Sequence, residues 1–494
     1  MTPRSLKTRT AHTLKWSLVD RISTQVLYAV TGIVLARALS PSDFGLVGAA
    51  LVFQAFATLL VDGGFGYALL QRKRPTRLDY STVLWFNIAV AVAMYIVLAL
   101  CAPLIADCFQ GDRRLIPVAR VLFLSLIANA ATIVQTNRLT KAMDVRGIAL
   151  ANSLALIAGG VAGIALALTG AGVWAIVGQT LVLAVVKCIV LWTATRWRPL
   201  LRFSWPALKS YFPLGWKMML TSFMNIVYVN IYSLLIGNRI GLVSLGYYTQ
   251  ADKWSKMGVS SLTQVLTSSF LPALSAVQDD NDRFGRLCSK MTRFTAYALF
   301  PAMLWLAVTA KPLFHSLFGD KWDASIILFQ LLLLRGIAVV LTSMATNFLL
   351  AKGCGRDIVH MEILRDGSAV TALAITFPVM AIATPDNPVL GLEYMLWGQL
   401  AAAVLSWAVT VHIALRRYAG LWAGYVRDIA PYAALSMLTI PCMLAVGNAF
   451  PEPWTQLAAE LAAGSAVDLV INAILRSRIQ AEAIAFITKG QQPR

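Results

Sequence analysis

Residues Leu14–Arg77, LKWSLVDRISTQVLYAVTGIVLARALSPSDFGLVGAALVFQAFATLLVDGGFGYALLQRKRPTR, decide the fold. They read as a helical hairpin through a bilayer. Two apolar segments, each long enough at about 1.5 Å per residue to cross roughly 30 Å of hydrocarbon, flank a polar break at Ser40, Pro41, Ser42 and Asp43. Ser40 is placed to cap the second helix, Pro41 sits in its first turn, and Asp43 completes a capping box. Asp20 and Arg21 fall inside the first crossing and Asp62 near the end of the second, at depths where charge is expensive.

The rest of the chain extends this pattern. Of 494 residues 58% are hydrophobic and only 13% charged, with a mean hydropathy of +0.69, which excludes an ordinary soluble domain. The net charge of +19 could suggest nucleic acid, but such a partner needs a soluble basic surface, and here the excess sits in short loops. The first apolar run continues into a full crossing and does not end at a cleavage site, so it is not a removable signal peptide. Six scattered cysteines form no CxxC pair and read as small apolar residues. There is no phosphate loop, HExxH or serine elbow, so no cofactor, metal or hydrolytic centre is expected.

Apolar runs of spanning length recur at about fourteen places: 14–38, 43–70, 81–107, 115–139, 147–169, 172–195, 208–236, 242–275, 286–310, 323–350, 357–382, 389–415, 428–447 and 454–475. Alternate loops are basic, with Arg72, Lys73, Arg74 and Arg77 in one, Arg138, Lys141 and Arg146 in the next, and Lys352 and Arg356 further on. The positive-inside rule then places both termini in the cytoplasm. Three echoes recur about six crossings apart: APLIADCFQGD with KPLFHSLFGDKW, NRLTKAMDVR with NFLLAKGCGR, and LARALSPSDFGLVG with LIGNRIGLVSLGYY. An even offset makes the halves parallel, related by a pseudo-two-fold along the membrane normal. The expected architecture is an all-α polytopic bundle with an N-terminal lobe at 1–205, a C-terminal lobe at 206–420, and a helix pair with a tail at 421–494.

Depth separates routine charges from informative ones. Arg21 and Lys217 lie about 10 Å into their crossings; Lys253, Lys256, Arg335 and Arg365 lie near mid-membrane. Lipid-facing cations at that depth cost a few kcal/mol each. Local pairing offers one account, through Asp252 with Lys256, Glu362 and Asp366 with Arg365, and Asp62 with Arg21. A wet cleft that receives an anion offers the other, since the cations outnumber the central acids. The planar fork of arginine suits two phosphate oxygens at once, and lysine supplies a mobile point charge. Asn225 and Trp254 add an amide and a ring of the kind that bind sugars. Asp20, Asp62 and Asp468 are candidates for ion coupling, with ion-pair partner as the alternative role.

KWSLVDR, LARALSPSDFG, DGGFGYALLQRK, LGYYTQADKW, FLPALSAVQDD, PLFHSLFGDKW and NFLLAKGCGR together resemble the polysaccharide-translocase family, closest to its Wzx-like colanic-acid exporter branch, within the multidrug/oligosaccharidyl-lipid/polysaccharide exporter superfamily. The resemblance implies two six-helix lobes around a cavity, two further helices and alternating access. It implies a flippase of the bacterial inner membrane that moves an undecaprenyl-pyrophosphate-linked oligosaccharide for exopolysaccharide or lipopolysaccharide biosynthesis, with a polysaccharide polymerase as candidate partner. A drug antiporter of the same superfamily is the alternative, but it calls for an acidic cavity. A membrane glycosyltransferase or polymerase would need acidic catalytic residues on a long outer loop, and the outer loops are short.

Overall fold

The structure, a computed structural model, describes residues 23–384, 387–418 and 420–474. Among them all regular structure is helical. Helix α1 occupies 23–38. It is followed by α2 (Pro41–Asp62), α3 (Phe65–Gln71), α4 (Arg77–Cys108), α5 (Leu115–Leu122), α6 (Ser125–Lys141), α7 (Val145–Leu168), α8 (Trp174–Thr195) and α9 (Trp205–Arg239). Then come α10 (Leu242–Ser275), α11 (Asn281–Val308), α12 (Ala310–Leu317), α13 (Asp323–Ala351), α14 (Gly355–Thr376), α15 (Leu390–Arg417), α16 (Trp422–Gly447) and α17 (Pro453–Ile474).

The hairpin turns where its sequence says it should. The Asp43 carboxylate accepts from the Ser40 amide at 3.0 Å, and the Ser40 hydroxyl accepts from the Asp43 amide at 3.3 Å. Thr76 and Asp79 repeat the box at the head of α4. Each box satisfies amides that a helix start leaves unpaired. The run 43–70 is two helices, not one: Gly63 and Gly64 adopt φ of 55° and 72°, a left-handed pair that redirects the chain into α3. The run 115–139 is likewise broken, between α5 and α6, at Phe123 and Leu124.

Among the described residues, eleven helical segments have the length and composition of membrane spans. The other three long helices are α1, α10 and α14, of which α10 and α14 carry the charged turns foreseen at mid-membrane. The lipid face is legible on α4, where Ile96, Val97, Leu100 and Leu104 are 50%, 50%, 73% and 65% exposed. Large apolar side chains turned outward at helical spacing would be untenable in water and are at home in hydrocarbon. The chain is a multi-pass membrane protein.

It divides between Thr249 and Gln250 into two compact units. In the first, Phe65, Leu69, Leu84, Trp197, Leu208 and Tyr211 form a core, and α9 packs on α2, α3 and α4. Helices α7 and α8 approach through Gly159 and Gly163, where a Cβ would fall 2.8 Å from the Gln179 carbonyl and 3.2 Å from that of Ala175, the small-residue contact typical of helices in lipid. In the second, Phe284, Phe314, Trp322 and Leu333 are fully buried, α13 packs on α11 and α15, and α16 packs on α11.

The echoes in sequence are echoes in local structure. Phe109 and Phe318, both buried, each precede a left-handed glycine, Gly111 at φ 73° and Gly319 at φ 89°. Lys141 Nζ donates to the carbonyls of Leu69, Leu70 and Arg72 where α3 ends, and Lys352 Nζ donates to the Gln278 carbonyl at 2.5 Å and Asn281 Oδ1 at 2.6 Å just past α10. Lys141, from the end of one crossing, caps the carbonyl end of another, and Lys352 ties the turn between α10 and α11. Within the first unit, Gly45 abuts the Leu242 carbonyl and Gly246 abuts that of Pro41. Pro41 and Gly45 on α2 thus face Leu242 and Gly246 on α10, so the two stretches of the third echo pack on one another.

Candidate functional site

In the first unit Lys217 and Asn225 lie on α9 and Asp62 ends α2. The α2–α3 break seats Gly64 against Gly215, where a Cβ would lie 2.3 Å from the Gly215 carbonyl oxygen. Lys217 follows Gly215 on α9 and is exposed, as is Asn225 two turns on. Phe223 of α9 packs on Phe56 of α2, ring centroids 5.9 Å apart. Asp62 points back into the break, its carboxylate beside Gly66 and the Asn137 amide. Asp20 and Arg21 lie outside the described residues.

In the second unit the cations ride on α10, α13 and α14. Lys256 pairs with Asp252 at 2.6 Å. Lys253 is half-buried, its Nζ 5.6 Å from the Trp254 ring. Trp254 packs on Phe318 at 5.1 Å, and its indole N–H is buried without a partner. On α13, Gly336 lets Val259 of α10 approach so closely that a Cβ would fall 2.4 Å from its methyl. The turn bearing Arg335 is thereby set beside the α10 turn that follows Lys256. Arg365 on α14 is held by Glu362 at 2.6 Å and Asp366 at 2.9 Å. Polar groups cluster on α10 and α13 inside long helices, where a span facing only lipid would carry none.

Two further clusters come from tertiary contacts. In the first unit, near the basic loops, the Arg72 guanidinium lies 4.8 Å from the Tyr211 ring and 3.7 Å from Asp79, and that of Arg138 lies 5.0 Å from Trp197 and 5.7 Å from Tyr80. Aromatic faces hold these cations, and Arg138 Nη1 is buried without a hydrogen-bond partner. In sequence both arginines stand only as loop charges. In the second unit, Glu460 and Asp468 line the buried face of α17. Asp468 is one of the candidates named from the sequence; the signal for Glu460 was available as a four-residue recurrence with Gly464, Asp468 and Asn472, a spacing that reads as one helix face. Among the described residues no group of His, Cys, Asp and Glu could hold a metal ion.

A model of the polysaccharide biosynthesis protein family matches residues 34–327. The succinoglycan biosynthesis transport protein ExoT of Rhizobium meliloti (strain 1021) is 26% identical over 500 residues, covering 100% of this chain and 98% of that protein. The lipopolysaccharide biosynthesis protein WzxC of Escherichia coli (strain K12) is 26% identical over 355 residues, 70% of this chain and 71% of that protein. Among solved structures, the lipid II flippase MurJ in an inward closed conformation aligns with a TM-score of 0.72 at 12% identity, covering 94% of this chain and 98% of that one. An inward-facing multidrug resistance MATE family transporter aligns at 0.58 and 16% identity, over 81% and 98%. These two likenesses establish the fold.

Proposed function

This chain belongs to the polysaccharide biosynthesis protein family, and on that premise we propose that it is a flippase carrying a polyprenyl-pyrophosphate-linked oligosaccharide across the bacterial inner membrane by alternating access. The relative that spans the whole chain is named as a succinoglycan transport protein, which supports a carrier over an enzyme. The observation that carries the reading is the α10–α13 crossing, where Gly336, next to Arg335, meets Val259, about one turn past Lys256 and nearly two past Lys253, inside membrane-length helices. Cations inside a span cost a few kcal/mol each if they face lipid, and a pyrophosphate entering between the helices adds anionic oxygens to the contacts they already make, such as that of Lys256 with Asp252. The fork of Arg335 addresses two phosphate oxygens, and the lysines supply charge that follows the head group. Arg21 and Lys217 are the capture residues, Arg365 a further contact at mid-depth, and Asn225 and Trp254 the groups for the first sugars.

The repeat halves 1–205 and 206–420 are the lobes of the cycle, the pair from 421 onward lies beside the lipid tail, and both termini are cytoplasmic. A polysaccharide polymerase on the outer side would receive the flipped unit. Neutralising the crossing in Lys253→Gln/Arg335→Gln should abolish export of polymer, with lipid-linked repeat unit accumulating on the cytoplasmic leaflet and the variant present in the membrane at normal level. Unchanged export would refute the assignment.

A further inference from the structure

The buried face of α17 is acidic where an apolar stripe would be the ordinary choice. Leu457, Glu460, Gly464, Asp468 and Asn472 all point inward. Glu460 is 1% exposed and Asp468 6%, about 10 and 22 Å along the helix from Pro453, in a segment of spanning composition. Asp468 is satisfied on its own helix, its Oδ2 accepting from Asn472 Nδ2 at 3.1 Å. Glu460 is satisfied on one oxygen only. Oε1 accepts from Gln456 Nε2 at 2.9 Å, while Oε2 is buried with no hydrogen-bond partner.

The seat is specific. Gly447, the last residue of α16, lies so near that a Cβ would fall 2.1 Å from Glu460 Oε1. The helices packed on α17 are α16 and α12, and their charges are engaged or remote. On α12, His315 Nε2 lies 2.6 Å from Asp323 Oδ1 and Lys311 is exposed. On α16, Asp428 is held by Ser289 at 2.5 Å and Arg293 at 3.6 Å, Arg427 is exposed, and the other titratable side chains are Tyr425, Tyr432 and Cys442. An ionised carboxylate with a starved oxygen in such a place costs several kcal/mol. The neutral acid removes that cost and keeps the bond from Gln456.

We propose that Glu460 is a proton-binding site, protonated when α16 and α17 are packed as here and ionised when Gly447 parts from it and water enters. On release the O–H bond of Oε2 breaks, the electron pair stays on the carboxylate, and water takes the proton; rebinding reverses this. Proton binding and closure of the α16–α17 pair then favour one another reciprocally. The site rests on the α17 geometry; only its role, coupling protons to the carrier cycle, rests on the proposed function.

The test is labelling of the full-length protein in membrane vesicles with dicyclohexylcarbodiimide, which attacks protonated carboxyls in apolar surroundings, read by peptide mass spectrometry. Glu460 should be modified at acidic pH, with labelling falling about tenfold per pH unit above its midpoint, and Gly447→Ala, which crowds the seat, should lower labelling several-fold. No label on Glu460 at acidic pH, labelling constant from about pH 5 to about pH 9, or loss of label on adding sodium at fixed pH would each overturn the site. Because the label is read without substrate, its outcome is separate from that of the export assay. In cells, Glu460→Gln should lower export about tenfold and abolish its dependence on external pH; wild-type export and pH response in that variant would overturn the coupling role.

Discussion

Gly45→Ala tests the reciprocal glycine contact directly. The new methyl would stand 1.8 Å from the Leu242 carbonyl oxygen and 2.6 Å from its carbon, and the obstacle is backbone, which no rotamer change can clear. Restoring ordinary van der Waals separation requires α2 and α10 to part by roughly 1.5 Å. Overpacking of this kind costs about 1–3 kcal/mol, with a clash against backbone at the upper end, and the better helix propensity of alanine returns about 1 kcal/mol, leaving a net loss of up to about 2 kcal/mol. Gly246→Ala meets the Pro41 carbonyl at 1.9 Å and should cost the same. A single separation of the helices relieves both methyls, so the double variant should lose less than the sum by about 1 kcal/mol. Gly367→Ala and Gly424→Ala are the controls. Both glycines are helical and a Cβ on either meets nothing within 4 Å, so these variants should gain about 0.5–1 kcal/mol. Thermal unfolding of the purified protein in detergent, followed by tryptophan fluorescence, should move the two pairs in opposite directions. A Gly45→Ala midpoint raised like that of Gly367→Ala would refute the contact.

Removing a lysine cap should loosen the loop it holds. Lys141→Met strips a donor from three carbonyls at the end of α3 and Lys352→Met from the 278–281 turn, each costing about 1–3 kcal/mol; faster tryptic cleavage at Arg72–Arg74 in the first and at Arg283 in the second is the readout. Ser40→Ala should cost about 1 kcal/mol, and adding Asp43→Ala should cost little more, because each residue's bond supports the other's; thermal midpoints of the three variants check this. Arg114 hydrogen bonds hold the Asp112 carboxyl below its ordinary range. A lowered folded value contributes stability that is full above about pH 4 and is lost as the pH falls through that lowered value. The pair is at the surface, so the term is under about 1 kcal/mol, and the midpoint gap between wild type and Asp112→Asn should close between about pH 5 and about pH 2.

What is legible in the sequence is what neighbours within a turn decide, or what a long run of apolar residues decides. The capping box needs only Ser40 and Asp43, the pairs of Lys256 and Arg365 need only i, i+4 and i, i+3 spacing, and a span needs only length. The Gly63–Gly64 break had a local signal, two adjacent glycines after Asp62, yet hydropathy runs through it because glycine is not polar. The Phe123–Leu124 break had none, for both residues belong equally in a continuous helix. Glu460 is hidden by the same averaging, since the two acids of α17, Glu460 and Asp468, leave its 22 residues with the hydropathy of a span. The remaining devices join segments far apart in the chain: Lys141 reaches back to Leu69, Gly45 meets Leu242, and Arg138 lies between Tyr80 and Trp197. In the sequence, the second echo places Lys141 and Lys352 near corresponding helix ends without saying what either lysine does. The structure gives each a physical role: Lys141, arriving from a neighbouring crossing, satisfies the last carbonyls of α3, as a helix end inside or near lipid requires, and Lys352 ties the 278–281 turn that joins α10 to α11.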